Sequence, residues 1–172
     1  MTQQVEQTQK VTLPAHVCTK IDEWLLRYPP EQRRSGVFEA LRLMQLENNG
    51  YLTTPILDAV ADYLGIPKIS VYEVATFFTM FRLTPHGKHV IELCTNVSCM
   101  LNGAEEMLAY LKEKLGVDLN DVTADGLFTI KEVECLGACV GAPACQIGDQ
   151  YHENLTRDKL DQLILAMRGS AS

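Results

Sequence analysis

The sequence lacks the features of a membrane protein and of a nucleic-acid-binding protein. None of its apolar runs approaches the roughly 18–20 residues that span a bilayer, and residues 1–10 are polar without a hydrophobic signal core. Basic residues are the minority, 15 against 22 acidic ones, and they form no Lys/Arg block. We therefore expect a cytoplasmic protein that neither inserts into a membrane nor binds DNA or RNA.

Motifs for nucleotide binding and for thiol–disulfide exchange are also missing. No G-x-G-x-x-G occurs, so the chain should not bind NADH or FMN by itself. No C-x-x-C occurs either, which disfavours a thioredoxin-like thiol–disulfide enzyme. Because no nucleophile and base form a discernible set, the sequence predicts no catalysis by this chain alone.

The cysteines are the most informative residues that are present. In a reducing cytosol, clustered thiols indicate metal or redox chemistry rather than a disulfide framework. Five of the six cysteines lie between positions 94 and 145. The six are Cys18, Cys94, Cys99, Cys135, Cys139 and Cys145.

The first half of the chain has the periodicity of amphipathic helices. Apolar residues recur at helical spacing from Pro14 to about position 80. Thr54 as N-cap, followed by Pro55, predicts the start of one helix, and Gly65 predicts its end. The segment 70–73, Ser-Val-Tyr-Glu, has the form of a capping box that opens another helix. These patterns predict a compact helical bundle.

The second half changes to a mixed pattern after the turn-forming residues 84–87. Period-two alternation predicts strands and helical spacing predicts helices. In chain order they are a strand at 89–94, a helix at 104–115, strands at 128–133, 144–147 and 150–152, and a helix capped by Thr156. The predicted fold class is α+β with a mixed sheet.

Two cysteine pairs directly follow predicted strands. Four residues separate Cys94 from Cys99, and three separate Cys135 from Cys139. The residues around the second pair are small and mostly apolar, which lets the backbone wrap closely and direct N–H groups at sulfur. Loops at the ends of adjacent strands would bring the four thiols to one centre.

Several interpretations of these pairs differ in the spacing that they require. Structural zinc often uses tight C-x2-C knuckles, a form that neither pair takes. A [2Fe–2S] cluster needs four thiolates around two irons, and a C-x4-C spacing also occurs in plant-type ferredoxins. Simple burial is common for one thiol but does not explain two close pairs in matching loops. Spacing favours the [2Fe–2S] cluster and leaves structural zinc open.

Three segments carry a resemblance to a known family. They are residues 94–99 (CTNVSC), 125–129 (DGLFT) and 135–143 (CLGACVGAP). Together they resemble the 24 kDa subunit of NADH:quinone oxidoreductase, which is the E-subunit family of bacterial respiratory complex I. The resemblance extends from the first helix near Pro14 to the last helix near Met167.

The resemblance implies a domain organisation and a ligand set. It implies an N-terminal helical bundle and a thioredoxin-like [2Fe–2S] ferredoxin domain. With the boundaries drawn from the sequence pattern, we expect a polar leader at 1–13, the helical bundle at 14–82 and the [2Fe–2S] domain at 83–168. The resemblance also implies one [2Fe–2S] cluster, whose ligands would be Cys94, Cys99, Cys135 and Cys139.

The resemblance further implies partners and a role. The partner would be a flavoprotein subunit that carries FMN, the NADH site and a [4Fe–4S] cluster, within the peripheral arm on the cytoplasmic side of an inner-membrane complex. The chain would store one electron beside the flavin, off the main route to quinone. One alternative is a diaphorase subunit of an NAD-dependent hydrogenase or formate dehydrogenase, and another is a zinc-stabilised structural or assembly module.

Other residues with metal-binding or docking potential receive simpler interpretations. Cys145 is expected to face the core rather than to act as a spare ligand. His86 and His89 are expected to be exposed or at a strand edge rather than to form a metal pair. The aromatic residues at 77–81 could form a docking patch, but aromatic side chains at helix ends are more often core.

Two glutamates precede Cys135 closely. A reduced [2Fe–2S] centre with four thiolates carries a net charge of about −3, which nearby carboxylates oppose. One hypothesis is that Glu132 and Glu134 help to keep the reduction potential of the cluster low. The alternative is a solvated strand end with no effect on the potential.

Overall fold

The computed structural model describes residues 11–169, so residues 1–10 of the expected polar leader lie outside the described residues. The chain divides into two compact units between Pro85 and His86. The ranges 1–13, 14–82 and 83–168 stay predictions. Among residues 11–169, no helix is long and apolar enough to cross a membrane.

The first unit is helical. Its buried side chains form one core, in which Ile21, Leu41 and Val60 are completely buried. Four helices supply most of this core: α1 (Ala15–Leu25), α2 (Val37–Glu47), α3 (Thr54–Leu64) and α4 (Lys68–Phe77). The helical periodicity of the sequence therefore predicted the first unit correctly.

The ends of α3 follow the local sequence closely. Gly65 ends the helix in the left-handed conformation, with φ of 66°, as predicted. The helix begins at Thr54, however, so Thr53 is the N-cap and Pro55 lies inside the first turn. The predicted cap was one residue late.

The capping box predicted at residues 70–73 is wrong. Helix α4 begins at Lys68, and Ser70 is buried inside it. Pro67, with an extended ψ of 137°, precedes the helix, and its carbonyl accepts the backbone N–H of Ser70 at 3.0 Å. Because Pro67 has already started the helix, a second start three residues later has no role.

The second unit contains a four-stranded mixed sheet with strand order β2-β1-β3-β4. Strand β1 pairs in parallel with β2 and antiparallel with β3, which forms a hairpin with β4. The strands are β1 (His89–Cys94), β2 (Phe128–Val133), β3 (Cys145–Ile147) and β4 (Gln150–His152). The predicted α+β fold class with a mixed sheet is confirmed.

Three helices accompany this sheet: α5 (Val97–Leu101), α6 (Ala104–Leu115) and α7 (Arg157–Gly169). Parallel strands need a crossover connection, and α6 lies within the one that joins β1 to β2. The completely buried side chains of Leu93, Leu111, Phe128 and Ile130 mark the core of this unit. The short helix α5 was not predicted.

The parallel pairing of β1 with β2 positions the candidate site. The register places Cys94, the last residue of β1, opposite Val133, the last residue of β2. Both strands therefore end at the same edge of the sheet. The loops that carry the two cysteine pairs leave from this edge.

Gly87 lies directly against the backbone of β2. Its N–H donates to Oγ1 of the buried Thr129 at 2.8 Å. A Cβ atom at position 87 would lie 2.5–2.7 Å from backbone atoms of Phe128, which is paired with β1 and has no freedom to move away. We predict that Gly87→Ala lowers the free energy of unfolding by about 2–3 kcal/mol, which is typical when a side chain is inserted where there is no room for it.

Urea unfolding of the full chain measures this loss. Gly169→Ala is the matched control, since a Cβ there meets nothing within 4 Å. The control should stay within about 0.5 kcal/mol of the unmodified protein. An equally stable Gly87→Ala variant would show that the close approach to Phe128 is not needed.

Candidate metal centre

Four cysteines line one cavity of about 110 Å³ at the edge where β1 and β2 end. They are Cys94, Cys99, Cys135 and Cys139. One water molecule needs roughly 10–15 Å³, so the cavity has room for a group of several atoms. None of the other described residues that line it is charged; they are Asn96, Val97, Ser98, Leu136, Gly137, Ala138 and Ala144.

The first cysteine pair is buried. Cys94 ends β1, and its N–H donates to the carbonyl of Ala144 at 3.1 Å. Cys99 lies in α5, where the side chain of Asn96 accepts the N–H of Val97 at 2.7 Å and so begins the helix. Only 4% of Cys94 and 3% of Cys99 is exposed. The end of β1 and the short helix α5 thus hold Cys94 and Cys99 in an apolar environment.

Burial also changes the acidity of this pair. It raises the pKa of the Cys99 thiol above its ordinary value, because the thiolate would lose hydration. A hydrogen bond with the Cys94 thiol raises this pKa further, while a backbone hydrogen bond from Ala144 opposes the shift. A metal centre that bound here would displace the thiol protons.

The second cysteine pair is exposed. Cys135 and Cys139 lie on the loop after β2, and Cys139 begins a 3-10 turn that ends at Gly141. Gly137 lies between them in the left-handed conformation with φ of 72°. Its N–H donates to Sγ of Cys135 at 3.3 Å. The loop therefore directs a backbone N–H at sulfur, as its small residues predicted.

Hydrogen bonds tie the two cysteine loops together. The hydroxyl of Thr95, the residue after Cys94, donates to Glu132 Oε1 at 2.6 Å. The Thr95 N–H donates to the carbonyl of Val133 at 3.3 Å. The Cys94 sulfur lies 3.9 Å from the carbonyl oxygen of Glu134. These contacts fix the start of one loop against the start of the other.

The four thiols line the same cavity. In the part of the chain that the structure describes, no three His, Cys, Asp or Glu side chains are placed to share one metal ion. A [2Fe–2S] cluster takes four thiolates around two irons. The donor set and the cavity fit such a cluster.

Cys145 lies away from the cavity. It is completely buried in the main core of the second unit, opposite Leu93 on β1. Its neighbour Ala144, which precedes β3, belongs instead to the apolar cluster around Cys94. Burial raises the pKa of Cys145 to about 12. The expectation of a core role is confirmed.

The remaining candidates lie outside this cavity. His86 and His89 belong to no described group of side chains that could hold a metal ion. Of the aromatic residues in the first unit, Phe81 is 5% exposed and belongs to the core as expected. Phe77 is 77% exposed and Phe78 is 41% exposed, so the core interpretation is wrong for these two.

Exposed apolar side chains flank the cavity, a feature that the sequence patterns did not indicate. We call Val97, Leu101 and Val140 the apolar rim; they are 61%, 76% and 105% exposed. Val97 and Leu101 lie on α5 beside Cys99, and Val140 directly follows Cys139. A solvated loop would favour polar residues at these positions, so the rim suggests contact with another surface.

Comparison with known proteins identifies the class. Residues 21–168 match the thioredoxin-like [2Fe–2S] ferredoxin family, and the chain belongs to this family. Among curated relatives, the chain is 46% identical over 143 residues to the E subunit of the NADH-quinone oxidoreductase of Rickettsia conorii, covering 83% of this chain and 86% of that protein. It is 45% identical over 151 residues to an E subunit, numbered 2, of the NADH-quinone oxidoreductase of Rhizobium meliloti, covering 88% of both.

Solved structures of NAD+-reducing [NiFe]-hydrogenase share the fold. The H2-reduced form matches with a TM-score of 0.67 at 21% identity over 78% of this chain. The air-oxidized form matches with a TM-score of 0.68 at 20% identity over 84%. This chain spans only 22% and 25% of those chains. The predicted thioredoxin-like fold and the predicted family are both confirmed.

Proposed function

We propose that this chain is the electron-transferring E subunit of an NADH:quinone oxidoreductase, the respiratory complex I. We further propose that Cys94, Cys99, Cys135 and Cys139 hold its one [2Fe–2S] cluster. The observation that carries the proposal is the single cavity lined by these four thiols in a chain of the [2Fe–2S] family. The identity of 42–46% to curated E subunits of NADH-quinone oxidoreductases supports the choice of complex.

The surrounding residues suit a charged redox centre. A bound [2Fe–2S] cluster would supply storage of a single electron. Ala104 and Ala144, both completely buried, pack with Cys94 and Cys99 and keep water from the inner side. On the outer side, the N–H of Gly137 directs partial positive charge at the Cys135 sulfur.

The proposed partner is a flavoprotein subunit that carries FMN, the NADH site and a [4Fe–4S] cluster. NADH and FMN would reach this chain only through that subunit, which would belong to the peripheral arm on the cytoplasmic side of the membrane. The apolar rim supports the contact, since Val97 lines the cavity, Leu101 lies on the same short helix as Cys99, and Val140 directly follows Cys139. Electron exchange needs the partner's cofactor to approach this edge of the sheet closely.

A diaphorase subunit of an NAD-dependent hydrogenase or formate dehydrogenase is the second candidate. The fold shared with the NAD+-reducing hydrogenase favours it. The identity to those structures is only 20–21%, against 46% to the complex I relative from Rickettsia conorii. The complex I assignment is therefore better supported.

Low-temperature EPR on the anaerobically purified, dithionite-reduced protein tests the cluster directly. Iron and acid-labile sulfide are assayed on the same sample. We expect a spin-half signal with about two irons and two sulfides per chain. A colourless, EPR-silent protein that binds about one zinc, even after reconstitution with iron and sulfide, would instead support the zinc-stabilised structural module.

Glu132 and Glu134 are expected to lower the reduction potential of the cluster. Both are exposed, so water screens them strongly. One charge at about 8 Å in water is worth roughly 0.5 kcal/mol, or about 20 mV for one electron. We predict that the double variant Glu132→Gln and Glu134→Gln raises the midpoint potential by about 20–40 mV in a redox titration.

Glutamine keeps the oxygen that accepts the Thr95 hydroxyl, so the loop contact survives the change in charge. Glu113→Gln, on the exposed side of α6, serves as the control and should leave the potential unchanged. Equal potentials in all three proteins would show that solvent fully screens the two carboxylates.

A further inference from the structure

The loop that carries Cys139 lies directly against Glu153. Gly141, two residues after Cys139, is buried. A Cβ atom at position 141 would lie 2.5 Å from Cβ and Cδ of Glu153 and would also overlap its carboxylate. Gly141 is not in the left-handed conformation, so the close approach of Glu153 explains why glycine is required there.

Backbone hydrogen bonds hold the same two segments together. The N–H of Asn154 donates to the carbonyl of Gly141 at 2.6 Å, and the N–H of Leu155 donates to the carbonyl of Pro143 at 3.0 Å. Asn154 takes the left-handed conformation with φ of 49°, which asparagine tolerates. Leu155 is 4% exposed and packs in the core of the second unit.

The segment that contacts the loop is itself fixed to α7. The ammonium group of Lys159 donates to the carbonyl of Glu153. The backbone N–H of Lys159 donates to Oγ1 of Thr156 at 3.2 Å, which caps the helix as the sequence predicted. The backbone of Glu153 is therefore anchored to α7, and its exposed side chain lies as a surface against Gly141.

Cys139 needs such a surface more than the buried cysteines do. Cys94 and Cys99 are held by a strand end, a helix and apolar packing. Cys139 is exposed and lies in a turn of three residues, so burial does not fix the position of its thiol. Replacing a residue that orients a metal ligand without binding the metal itself typically lowers the metal affinity by about 10–100-fold.

We propose that Glu153 is a positioning residue for the iron–sulfur cluster: its side chain, packed along Gly141, holds the Cys139 loop in the conformation that ligates iron. The inference rests on the proposed function, because it needs Cys139 as a ligand. Packing rather than charge does the positioning, since the contact runs from Cβ to the end of the side chain.

Three variants of the full chain test the role: Glu153→Ala, Glu153→Gln and Gly141→Ala. The rate of iron release to a chelator is followed anaerobically by visible absorbance, together with the EPR g-values of the reduced protein. We expect Glu153→Ala to release iron at least about tenfold faster and to shift the g-values. Glu153→Gln keeps the shape of the side chain and should stay within about twofold of the unmodified protein.

A structural readout accompanies the cluster measurements. Amide hydrogen exchange at Asn154 and Leu155 should accelerate in Glu153→Ala, because their acceptors lie on the loop that loses its contact with the Glu153 side chain. Glu113→Ala, an exposed glutamate on α6, is the control for loss of a carboxylate. Should Gly141→Ala fail to fold, as circular dichroism would show, Glu153→Ala still decides the question.

The outcomes separate this inference from the proposed function. An unmodified protein that binds no iron and sulfide overturns the proposed function and this role with it. A loaded unmodified protein beside a Glu153→Ala variant with the same release rate and g-values overturns the positioning role alone. Equal acceleration in Glu153→Gln and Glu153→Ala overturns packing as the cause.

Discussion

Alanine at Cys135 or Cys139 is expected to abolish the visible absorbance and the EPR signal of a [2Fe–2S] protein. Each iron would depend on two thiolates, and loss of one leaves an incomplete ligand set. Both side chains are exposed, so their removal should leave the unfolding of the metal-free chain within about 0.5 kcal/mol of the original. Iron and sulfide assays, paired with urea unfolding of the metal-free protein, measure the two effects separately.

The buried pair should show both effects at once. Alanine at Cys94 or Cys99 is expected to remove the cluster and also to destabilise the metal-free chain, because these thiols pack among Ala104 and Ala144. Cluster loss in all four variants with a stability loss in only two would match the asymmetry of burial. Retention of a full iron and sulfide content in any one of the four would remove that residue from the proposed ligand set.

Cys145→Ala and Cys18→Ala are the matched controls. Cys145 lies in the main core of the second unit, and Cys18 packs against the core of the first unit. Neither lines the cavity between the cysteine loops. Both variants should keep two irons and two sulfides per chain. Loss of the cluster in Cys145→Ala, with the fold intact, would contradict the placement of this thiol away from the site.

The sheet could be predicted because its strands are short and regular. Period-two alternation predicted β1, and the strand candidates at 128–133 and, after the turn at 148–149, at 150–152 predicted β2 and β4, all with the boundaries that the structure has. The candidate at 144–147 matches β3 to within one residue. The position of each cysteine pair after a strand then predicted one shared edge. That step needed β1 and β2 to be neighbours and parallel, which the register shows.

The wrong predictions for the helical unit rest on local sequence patterns, and the packing of the folded chain does not follow those patterns. The capping box at 70–73 has the required residue types, yet Pro67 starts α4 first. Phe77 and Phe78 follow the helical pattern, yet they lie at the end of α4, where the core no longer covers them. Apolar identity predicts burial only where another element packs against the residue.

Features that depend on distant residues had no sequence signal. Helix α5 spans only five residues, too short for periodicity to reveal. The burial of Cys94 and Cys99, beside the exposure of Cys135 and Cys139, depends on how the loops pack. The contact between Gly141 and Glu153 joins residues twelve positions apart. A glycine in a loop of small residues gives no indication in the sequence that a distant side chain packs against it.

Placing a charge on the apolar rim should separate cluster binding from partner binding. Leu101 is 76% exposed on α5, so Leu101→Glu should leave the fold and the cluster intact. A buried carboxylate without a partner would oppose docking of the flavoprotein subunit over this edge. We predict that the affinity of the Leu101→Glu variant for the flavoprotein subunit falls by at least about thirtyfold. This loss corresponds to roughly 2 kcal/mol of binding free energy, as at an interface hot spot.

Leu165→Glu is a close match for this change. Leu165 is 73% exposed on α7, a helix that carries none of the four cysteines. Titration of the loaded chain with the flavoprotein subunit, followed by reduction of the cluster with NADH, should show a defect for Leu101→Glu and none for Leu165→Glu. Equal affinity of both variants would move the docking surface away from the rim, even with the cluster assignment intact. A defect in Leu101→Glu alone would mean that the partner approaches the same edge of the sheet at which the two cysteine loops meet, where electron exchange requires it.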